Sequence, residues 1–365
     1  MRCSWPNSTR TGPAAPMPTD LLRAAGLSVT LADIEAAAER IRSHVHRTPL
    51  LTCQALDVAV GARVHAKAEH LQRSGSFKIR GALNRLLQLT EDERSRGVVA
   101  FSSGNHAQGV ALAARIVGID ATIVMPLDAP RVKKDATRAY GARIVEYDRL
   151  TQDREAIAAE VAVERGSVVV PPFNDDRVIA GQGTVGLEIA ADLPDIGVAL
   201  VPVGGGGLIS GVAIALKALR PGVRVIGVEP ASADDARQSL AAGRIVTIEQ
   251  PVTLADGVAT RAVGARTFPI MRALVDEIVT VDEAEIVDAM RFVMTRMKQV
   301  VEPTGALTTA ALLSGRVDVA GCTVMTLFCG GNLDPDLIEN LASSPYTNRS
   351  TSNRSTSNRF TESRQ

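Results

Sequence analysis

The chain has 365 residues, of which 45% are hydrophobic and 22% are charged, values typical of a folded globular protein of about two domains rather than a disordered one. Lysine plus arginine and aspartate plus glutamate each number 40, so the net charge is zero, and aromatic residues make up only 3%. This composition argues against nucleic acid and membrane surfaces as partners and favours a small-molecule ligand.

Short β-branched segments alternate with helical patterns through the middle of the chain, which predicts an α/β protein with mostly parallel sheets covered on both faces. We predict helices over 105–118 and 284–298. The predicted strands are 98–101, 121–125, 142–147, 167–170, 198–203, 224–229, 277–281 and 322–328. Because ligands of such sheets bind at the carboxyl ends of the strands, the loops after the strands are the first places to look.

Both ends of the chain differ in composition from its centre. Residues 1–28 are rich in Pro, Ser and Thr, and residues 346–365 repeat NRSTS, so we expect a flexible extension and a disordered tail. Residues 196–216 carry no charge and have the length of a membrane span, but Pro202 and the adjacent glycines favour a strand, a turn and a helix start instead. Without a secretory signal, we expect a cytoplasmic protein.

The segment Ser74–Ala82 (SGSFKIRGA) contains a lysine between two apolar residues, Phe77 and Ile79. An apolar setting lowers the pKa of an amine, which would make Lys78 a nucleophile toward a carbonyl group. The alternative is an ordinary solvated surface lysine.

The segment Ser102–Gly109 (SSGNHAQG) directly follows a predicted strand. Small hydroxyl residues, a glycine and Asn105 ahead of a helix supply donors for a carboxylate or for a phenolic oxygen. Alternatively, the serines and Asn105 only cap the helix, and His106 is only a residue of its first turn.

The segment Val201–Gly211 (VPVGGGGLISG) places four glycines between a strand and a helix. Backbone N–H groups that converge at a helix N-terminus bind phosphate, and four glycines exceed what a tight turn needs. No Lys-Ser or Lys-Thr follows, and the spacing departs from GxGxxG, so nucleoside-triphosphate and dinucleotide sites are disfavoured.

Taken together, SFKIRGA, SSGNH, PVGGGGL, EPTGA and CGGN closely resemble the pyridoxal-phosphate enzymes of fold type II, in the branch that holds serine and threonine dehydratases and serine racemase. The resemblance keeps the same order over about residues 30–341. It implies a fold like that of the tryptophan synthase β subunit, with two doubly wound sheets, and a homodimer. A small domain, 97–174, would be inserted into a large one made of 29–96 and 175–345.

The resemblance also assigns roles to residues. Lys78 would bind pyridoxal 5′-phosphate as a Schiff base and then act as the base that removes the α-proton of the substrate. The other cofactor contacts would come from Phe77 beside the ring, Asn105 at the 3-hydroxyl oxygen, Glu302 near the ring, Cys329 at the pyridine nitrogen, and the amides of Gly204, Gly205, Gly206, Gly207 and Leu208 at the phosphate. The substrate carboxylate would lie against Ser102, Ser103, Gly104, Asn105 and His106.

The implied reaction converts L-serine or L-threonine to a 2-oxo acid and ammonia by α,β-elimination. Many dehydratases of this branch have SAGNH, whereas this chain has Ser103 at the second position, as do racemases and hydroxyaspartate dehydratases. Ser103 would then be a second base that permits racemisation, or it would only bind carboxylate or cap the helix. Serine racemase and threo-3-hydroxyaspartate dehydratase are therefore the near alternatives.

A further mark of the racemase type is GVEPASADD, residues 227–235. Glu229, Asp235 and the carbonyl of Ala233 would form an all-oxygen site for Mg²⁺, Ca²⁺ or Mn²⁺. The alternative is a helix N-cap at Ser232 followed by first-turn acids. Two hypotheses of another class are a non-catalytic cofactor-binding protein, against which the intact Lys78 argues, and a nucleotide-dependent oxidoreductase that uses the glycine loop.

Overall fold

The computed structural model describes residues 27–102, 104–129 and 131–343. Ser103, most of the predicted N-terminal extension and the whole of the predicted tail lie outside these residues. All eight predicted strands are present, and two further strands precede them. The strands are β1 (Leu50–Thr52), β2 (Arg63–Lys67), β3 (Val98–Phe101), β4 (Ala121–Pro126), β5 (Arg143–Tyr147), β6 (Val168–Val169), β7 (Val198–Pro202), β8 (Arg224–Pro230), β9 (Glu277–Val281) and β10 (Thr323–Leu327).

The strands form two sheets. One has six strands in the order β1-β2-β10-β7-β8-β9, and the other has four in the order β5-β4-β3-β6. Every pairing is parallel except that of β1 with β2. The four-stranded sheet lies wholly within the segment predicted to form the small domain, although the domain boundaries themselves stay a prediction.

Helices connect the strands and cover the sheets, as parallel pairing requires. They are α1 (Leu31–Ile41), α2 (Gln54–Val60), α3 (Lys78–Leu86), α4 (Glu91–Arg96), α5 (Asn105–Val117), α6 (Arg131–Ala139), α7 (Arg154–Arg165), α8 (Asp176–Asp192), α9 (Gly207–Leu219), α10 (Asp235–Ala242), α11 (Thr267–Leu274), α12 (Glu283–Phe292), α13 (Pro303–Leu313) and α14 (Pro335–Ser343).

The charge-free stretch 196–216 forms β7, a glycine turn and the first part of α9, which confirms the predicted division. All five residues of β7 are buried, because the strand lies in the middle of the larger sheet between β10 and β8. Within the described ranges, we find no helix with the length and apolar character of a membrane span.

Two local features differ from the prediction. The sequence RVHAK of β2 alternates charged and apolar residues, so a search for continuous apolar runs misses this strand. β2 pairs in parallel with β10 but antiparallel with β1. The helix predicted over 284–298 begins at Glu283 but ends at Phe292, where a π-helical turn over Val293–Met297 takes over. Lys298 then ends the element in the left-handed conformation, with φ 60°.

A buried ion network holds α3 against β2 and α8. Arg80 donates from Nε and Nη2 to Glu69, at 2.8 Å each, and from Nη1 to Glu188 Oε1 at 2.7 Å. The fully buried Lys67 reaches Glu188 Oε2 at 2.6 Å. Burial alone would lower the pKa of Arg80, but the facing carboxylates raise it above its ordinary value. Because Arg80 lies two residues after Lys78, the network fixes the start of α3.

Replacing Arg80 should be costly because Glu69 would remain buried without a counter-charge. We expect Arg80→Met to lower the free energy of unfolding by about 3–5 kcal/mol. The matched control is Arg143→Met, whose partner Asp120 lies 3.5 Å away on the surface and whose loss should cost at most about 1 kcal/mol. Urea denaturation of both variants measures the difference, and equal costs would contradict the role given to the network.

Candidate active site

Lys78 is the first residue of α3 and lines a cavity beside the glycine loop. Its Nζ donates to the carbonyl oxygen of Pro172 at 3.1 Å and lies 5.1 Å from the centre of the Phe77 ring. Enclosure by protein lowers the pKa of Lys78 to about 8, although Cys329 and Glu302 act in the opposite direction. About a tenth of this amine is therefore uncharged at pH 7, far more than for an ordinary lysine, and the uncharged form is what a nucleophile or a base requires.

The loop after β3 places the N-terminus of α5 at the same cavity. Gly104 is the N-cap and makes no side-chain cap bond, so the expectation of a plain Ser or Asn cap is wrong. The N–H groups of Asn105 and His106 donate to no other residue of the described ranges, which leaves them free for an anion. Gly109 lets α5 approach α3, since a Cβ there would lie 3.1 Å from backbone and Cβ atoms of Lys78.

His106 lines the cavity but is held in one protonation state. Its Nε2 lies 2.8 Å from the carbonyl oxygen of Val170, so this nitrogen must carry the hydrogen. Burial, together with the nearby charge of Lys78, lowers the pKa of His106 to about 3. A neutral imidazole contributes shape and hydrogen bonding to the site but no positive charge.

The four glycines lie between β7 and α9, and tight packing requires at least two of them. Gly206 has φ 88°, a left-handed conformation that favours glycine. A Cβ on Gly205 would lie 2.2 Å from the Phe173 ring. Among the described residues, the N–H groups from Gly204 to Leu208 find no acceptor, and they line the cavity at the start of α9. Unpaired N–H groups at a helix N-terminus suit an anion, so the geometry is compatible with the predicted phosphate cradle.

One cavity, of about 1010 Å³ measured out to its open mouth, brings the predicted loops together. The predicted cofactor and substrate residues that line it are Phe77, Lys78, Ser102, Gly104, Asn105, His106, Gly204, Gly205, Gly206, Gly207, Leu208, Glu302 and Cys329. They come from both sheets, as expected of loops at the carboxyl ends of parallel strands.

Two buried acidic groups face Lys78 across this cavity. Glu302 accepts a hydrogen bond from Asn105 Nδ2 at 2.6 Å, and burial, followed by the charge of Asp256, raises the pKa of Glu302 to about 7. Burial, followed by the charge of Glu302, also raises the pKa of Cys329 well above its ordinary value. The Cys329 thiol is therefore uncharged. Glu302 is also the N-cap of α13, with Pro303 as the first helical residue, so it serves as an ordinary helix start as well as lining the cavity.

Several contributors to the cavity carry no motif in the sequence. Thr267 donates its hydroxyl to the carbonyl oxygen of Gly205 at 2.7 Å and so braces the glycine loop. Lys133 and Asp256 form an ion pair of 2.6 Å at the cavity wall, and Arg154 lies over the Phe101 ring, 5.7 Å from its centre. Sequence reasoning misses these residues, because they lie far from the predicted loops in the chain and only folding brings them together.

The predicted metal ligands lie away from this cavity. Both oxygens of Glu229 accept N–H groups of α10, from Ala236 at 3.0 Å and from Arg237 at 2.9 Å. Asp235 is fully buried, and its Oδ2 has no hydrogen-bond partner. The N-cap is Asp234 and not Ser232, so that alternative is wrong. Over the described ranges, no cluster of three His, Cys, Asp or Glu side chains could hold a metal ion, so a cation here would need the Ala233 carbonyl and water.

The groups around the cavity fit pyridoxal phosphate. The unpaired N–H groups of the glycine loop suit its anionic end, the uncharged amine of Lys78 suits its aldehyde, and the amide of Asn105 suits its phenolic oxygen. Likewise, the unpartnered Asp235 Oδ2 beside a second buried carboxylate suits a divalent cation.

Comparisons with known proteins agree with this fit. The family described as "Pyridoxal-phosphate dependent enzyme" matches residues 41–330. An L-threo-3-hydroxyaspartate ammonia-lyase of Pseudomonas sp is 49% identical over 85% of this chain and 97% of its own length. An L-threonine ammonia-lyase of Thermotoga maritima is 47% identical over 86% and 78%, respectively. The structure of maize serine racemase superposes with a TM-score of 0.83 at 41% identity, covering 86% of this chain and 96% of that one.

These relatives are named as enzymes, and their similarity spans nearly the whole described core. The chain therefore belongs to the pyridoxal-phosphate dependent enzymes of fold type II, in the group that contains ammonia-lyases and serine racemases.

Proposed function

We propose that the protein is a pyridoxal-phosphate dependent ammonia-lyase that converts L-serine or L-threonine to a 2-oxo acid and ammonia by α,β-elimination. The observation that carries the proposal is a lysine amine with a pKa of about 8 in one cavity with a glycine loop of unpaired N–H groups. Its relatives named as ammonia-lyases support the reaction type. The homodimer stays a prediction from the resemblance, and the cytoplasmic location stays a prediction from the sequence.

Different residues of the chain would serve different parts of the reaction. When bound, pyridoxal phosphate withdraws electrons from the α-carbon of the amino acid. The Nζ of Lys78 takes the α-proton, and a pKa lowered to about 8 makes its uncharged, basic form available at a lower pH than in an ordinary lysine. The free N–H groups of Asn105 and His106, at the N-terminus of α5, orient the substrate carboxylate.

The position of Cys329 favours elimination over a long-lived carbanion. Its thiol is buried and uncharged, so it does not keep a pyridine nitrogen protonated as an aspartate would. The cofactor would then withdraw electrons less strongly, which favours prompt loss of the β-hydroxyl group.

The same scaffold also supports a second candidate. The similarity to maize serine racemase, at a TM-score of 0.83, favours racemisation of serine, and the relative from Pseudomonas favours 3-hydroxyaspartate as substrate. Ser103, the proposed second base, lies outside the described residues. Product analysis separates these activities.

The first test is a panel of L-serine, L-threonine and L-threo-3-hydroxyaspartate, assayed for 2-oxo acid and ammonia. We expect release from serine or threonine, and we expect Lys78→Ala to lower the rate by at least about 10³-fold because it removes the α-proton acceptor. The Lys78→Ala variant should also lack the long-wavelength absorption of covalently bound coenzyme.

Lys217→Ala is the matched control, because Lys217 pairs with Asp276 outside the cavity and should keep full activity. Chiral analysis of serine after incubation decides the racemase alternative. Absence of D-serine would remove it, and D-serine formed faster than pyruvate would overturn the assignment as mainly an ammonia-lyase.

The pKa of Lys78 predicts how coenzyme attachment depends on pH. Only the uncharged amine attacks an aldehyde, and a pKa lowered from 10.5 to about 8 moves its appearance into a lower pH range. The rate of covalent attachment to the apoenzyme should rise between pH 6 and 8 and level off near pH 9. Stopped-flow absorbance measures this, and a rate that still rises tenfold per pH unit up to pH 10 would show an ordinary lysine.

We propose in addition that Glu229, Asp235 and the carbonyl of Ala233 bind a structural divalent cation, Mg²⁺, Ca²⁺ or Mn²⁺. Two buried carboxylates without a cationic side chain, one with an unpartnered oxygen, support this site. The hydroxyl of Thr260 lies 3.4 Å from Asp235 Oδ1, and Thr260 also lines the cavity. A bound cation would therefore restrict the motion of one cavity wall through Asp235 and Thr260.

A bound cation should stabilise the fold by mass action. At 100 times its dissociation constant, we expect Ca²⁺ or Mg²⁺ to raise the unfolding midpoint by roughly 5 °C over a chelator-treated sample. Asp235→Asn should abolish this increase, whereas Asp120→Asn, at an exposed surface pair, should keep it. An equal increase in Asp235→Asn would place the cation elsewhere.

A further inference from the structure

The turn just before Lys78 has an unusual backbone. Ser74 has φ 60° and ψ 13°, and Gly75 has φ 71°. A left-handed conformation is uncommon for serine and is retained only where the surroundings impose it. Ser74 is buried, and its hydroxyl has no hydrogen-bond partner, so its side chain does not account for the conformation.

The turn is shaped around Asn332, which belongs to the CGGN motif after β10. Asn332 Nδ2 donates to the carbonyl oxygen of Ser74 at 2.8 Å, and Gly331 N donates to the carbonyl oxygen of Gly75 at 2.9 Å. A Cβ on Gly75 would lie 2.4 Å from Asn332 Oδ1, so only glycine leaves room for this side chain. The left-handed turn therefore presents one carbonyl to one amide.

That carbonyl fixes the direction of two amide side chains in succession. A carbonyl oxygen can only accept, so the Asn332 atom beside Ser74 must be the amide nitrogen. The same nitrogen lies 2.8 Å from Asn105, and the Asn105 atom there must be the acceptor, Oδ1. Asn105 Nδ2 consequently faces Glu302 Oε1, at 2.6 Å, and its second hydrogen meets no acceptor among the residues that the structure describes.

We propose that Asn332 is a positioning residue that holds Asn105 with its amide donor toward the coenzyme's phenolic oxygen. The inference rests on the proposed function, in which Asn105 contacts that oxygen. Asn332 acts together with Glu302: Glu302 accepts from Nδ2 of Asn105, and Asn332 donates to its Oδ1, so the two contacts favour the same orientation of the amide. In the reversed orientation, Oδ1 of Asn105 would face Glu302 and the phenolic oxygen, so acceptors would face each other.

The experiment compares two replacements of similar size, Asn332→Asp and Asn332→Leu. A carboxylate can only accept, so Asn332→Asp draws the donor of Asn105 away from the coenzyme, while Asn332→Leu removes the contact. We expect the dissociation constant of pyridoxal phosphate from Asn332→Asp to rise about tenfold, the loss expected for one reversed hydrogen bond. The absorption maximum of the bound coenzyme should shift, and Asn332→Leu should show a smaller change in both.

Asn84→Asp and Asn84→Leu are the matched controls. Asn84 also makes two side-chain hydrogen bonds, from Arg40 at 2.5 Å and to the carbonyl oxygen of Arg177 at 2.6 Å, but it does not line the cavity. Its variants should lose stability in urea without a change in the coenzyme spectrum. Gly75→Ala provides a second approach, because it displaces Asn332 while leaving that side chain's chemistry intact, and it should reproduce the spectral shift.

The outcomes separate the two claims. If Asn332→Asp and Gly75→Ala bind coenzyme within twofold of the wild type and keep its absorption maximum, the positioning role is wrong and the proposed function stands. If the Lys78→Ala variant keeps the long-wavelength absorption band of the wild type, the proposed site is wrong, and the positioning role is wrong as well.

Discussion

The structure depends on keeping one amine in a place where its charged form is unfavourable. Lys78 is enclosed at the start of α3, and the loss of water lowers its pKa to about 8 even though Cys329 and Glu302 favour its charge. Such a position is stable only if the surrounding backbone cannot relax. The ion network of Arg80, two residues further on, supplies that rigidity, because Glu69 is buried and cannot move without losing the charge of Arg80, while Glu188 pairs with both Arg80 and Lys67.

The second requirement is that three loops far apart in the chain meet at Lys78. Parallel pairing meets it for β7 and β10, which are neighbours in the larger sheet, and the close approach of α5 to α3 at Gly109 brings the loop from the smaller sheet. The loop after β3 brings the N-terminus of α5, the loop after β7 brings that of α9, and the loop after β10 brings Cys329 and Asn332. Two of these three are helix N-termini with free N–H groups, so the cavity can bind a phosphate and a carboxylate at once without many cationic side chains.

The sequence allowed prediction of the parts that local chemistry determines. All eight predicted strands could be found because buried parallel strands have continuous apolar sequences. The glycine loop is recognisable because its close packing leaves no room for side chains. What could not be predicted depends on tertiary contact. The alternation in RVHAK conceals β2, and the capping of α10 by Glu229 acts across seven residues. The role of Arg80 requires Glu69 and Glu188, and that of Asn332 requires a left-handed Ser74, which no residue preference indicates.

The contacts across the cavity are weaker than those that hold Lys78, and this difference bears on how the site would work. Lys133 of α6, which connects β4 and β5 of the four-stranded sheet, pairs with Asp256, but half of the Asp256 side chain is exposed. An ion pair in that setting contributes at most about 1 kcal/mol to stability. Removing one partner from the buried network behind α3 would cost several times more. Substrate could therefore separate Lys133 from Asp256 at little cost while the amine and the phosphate cradle stay in place. Asn105, at the start of α5, is held to the buried Glu302 by a hydrogen bond of 2.6 Å, so of these two contacts the Lys133–Asp256 pair is the one that costs less to break.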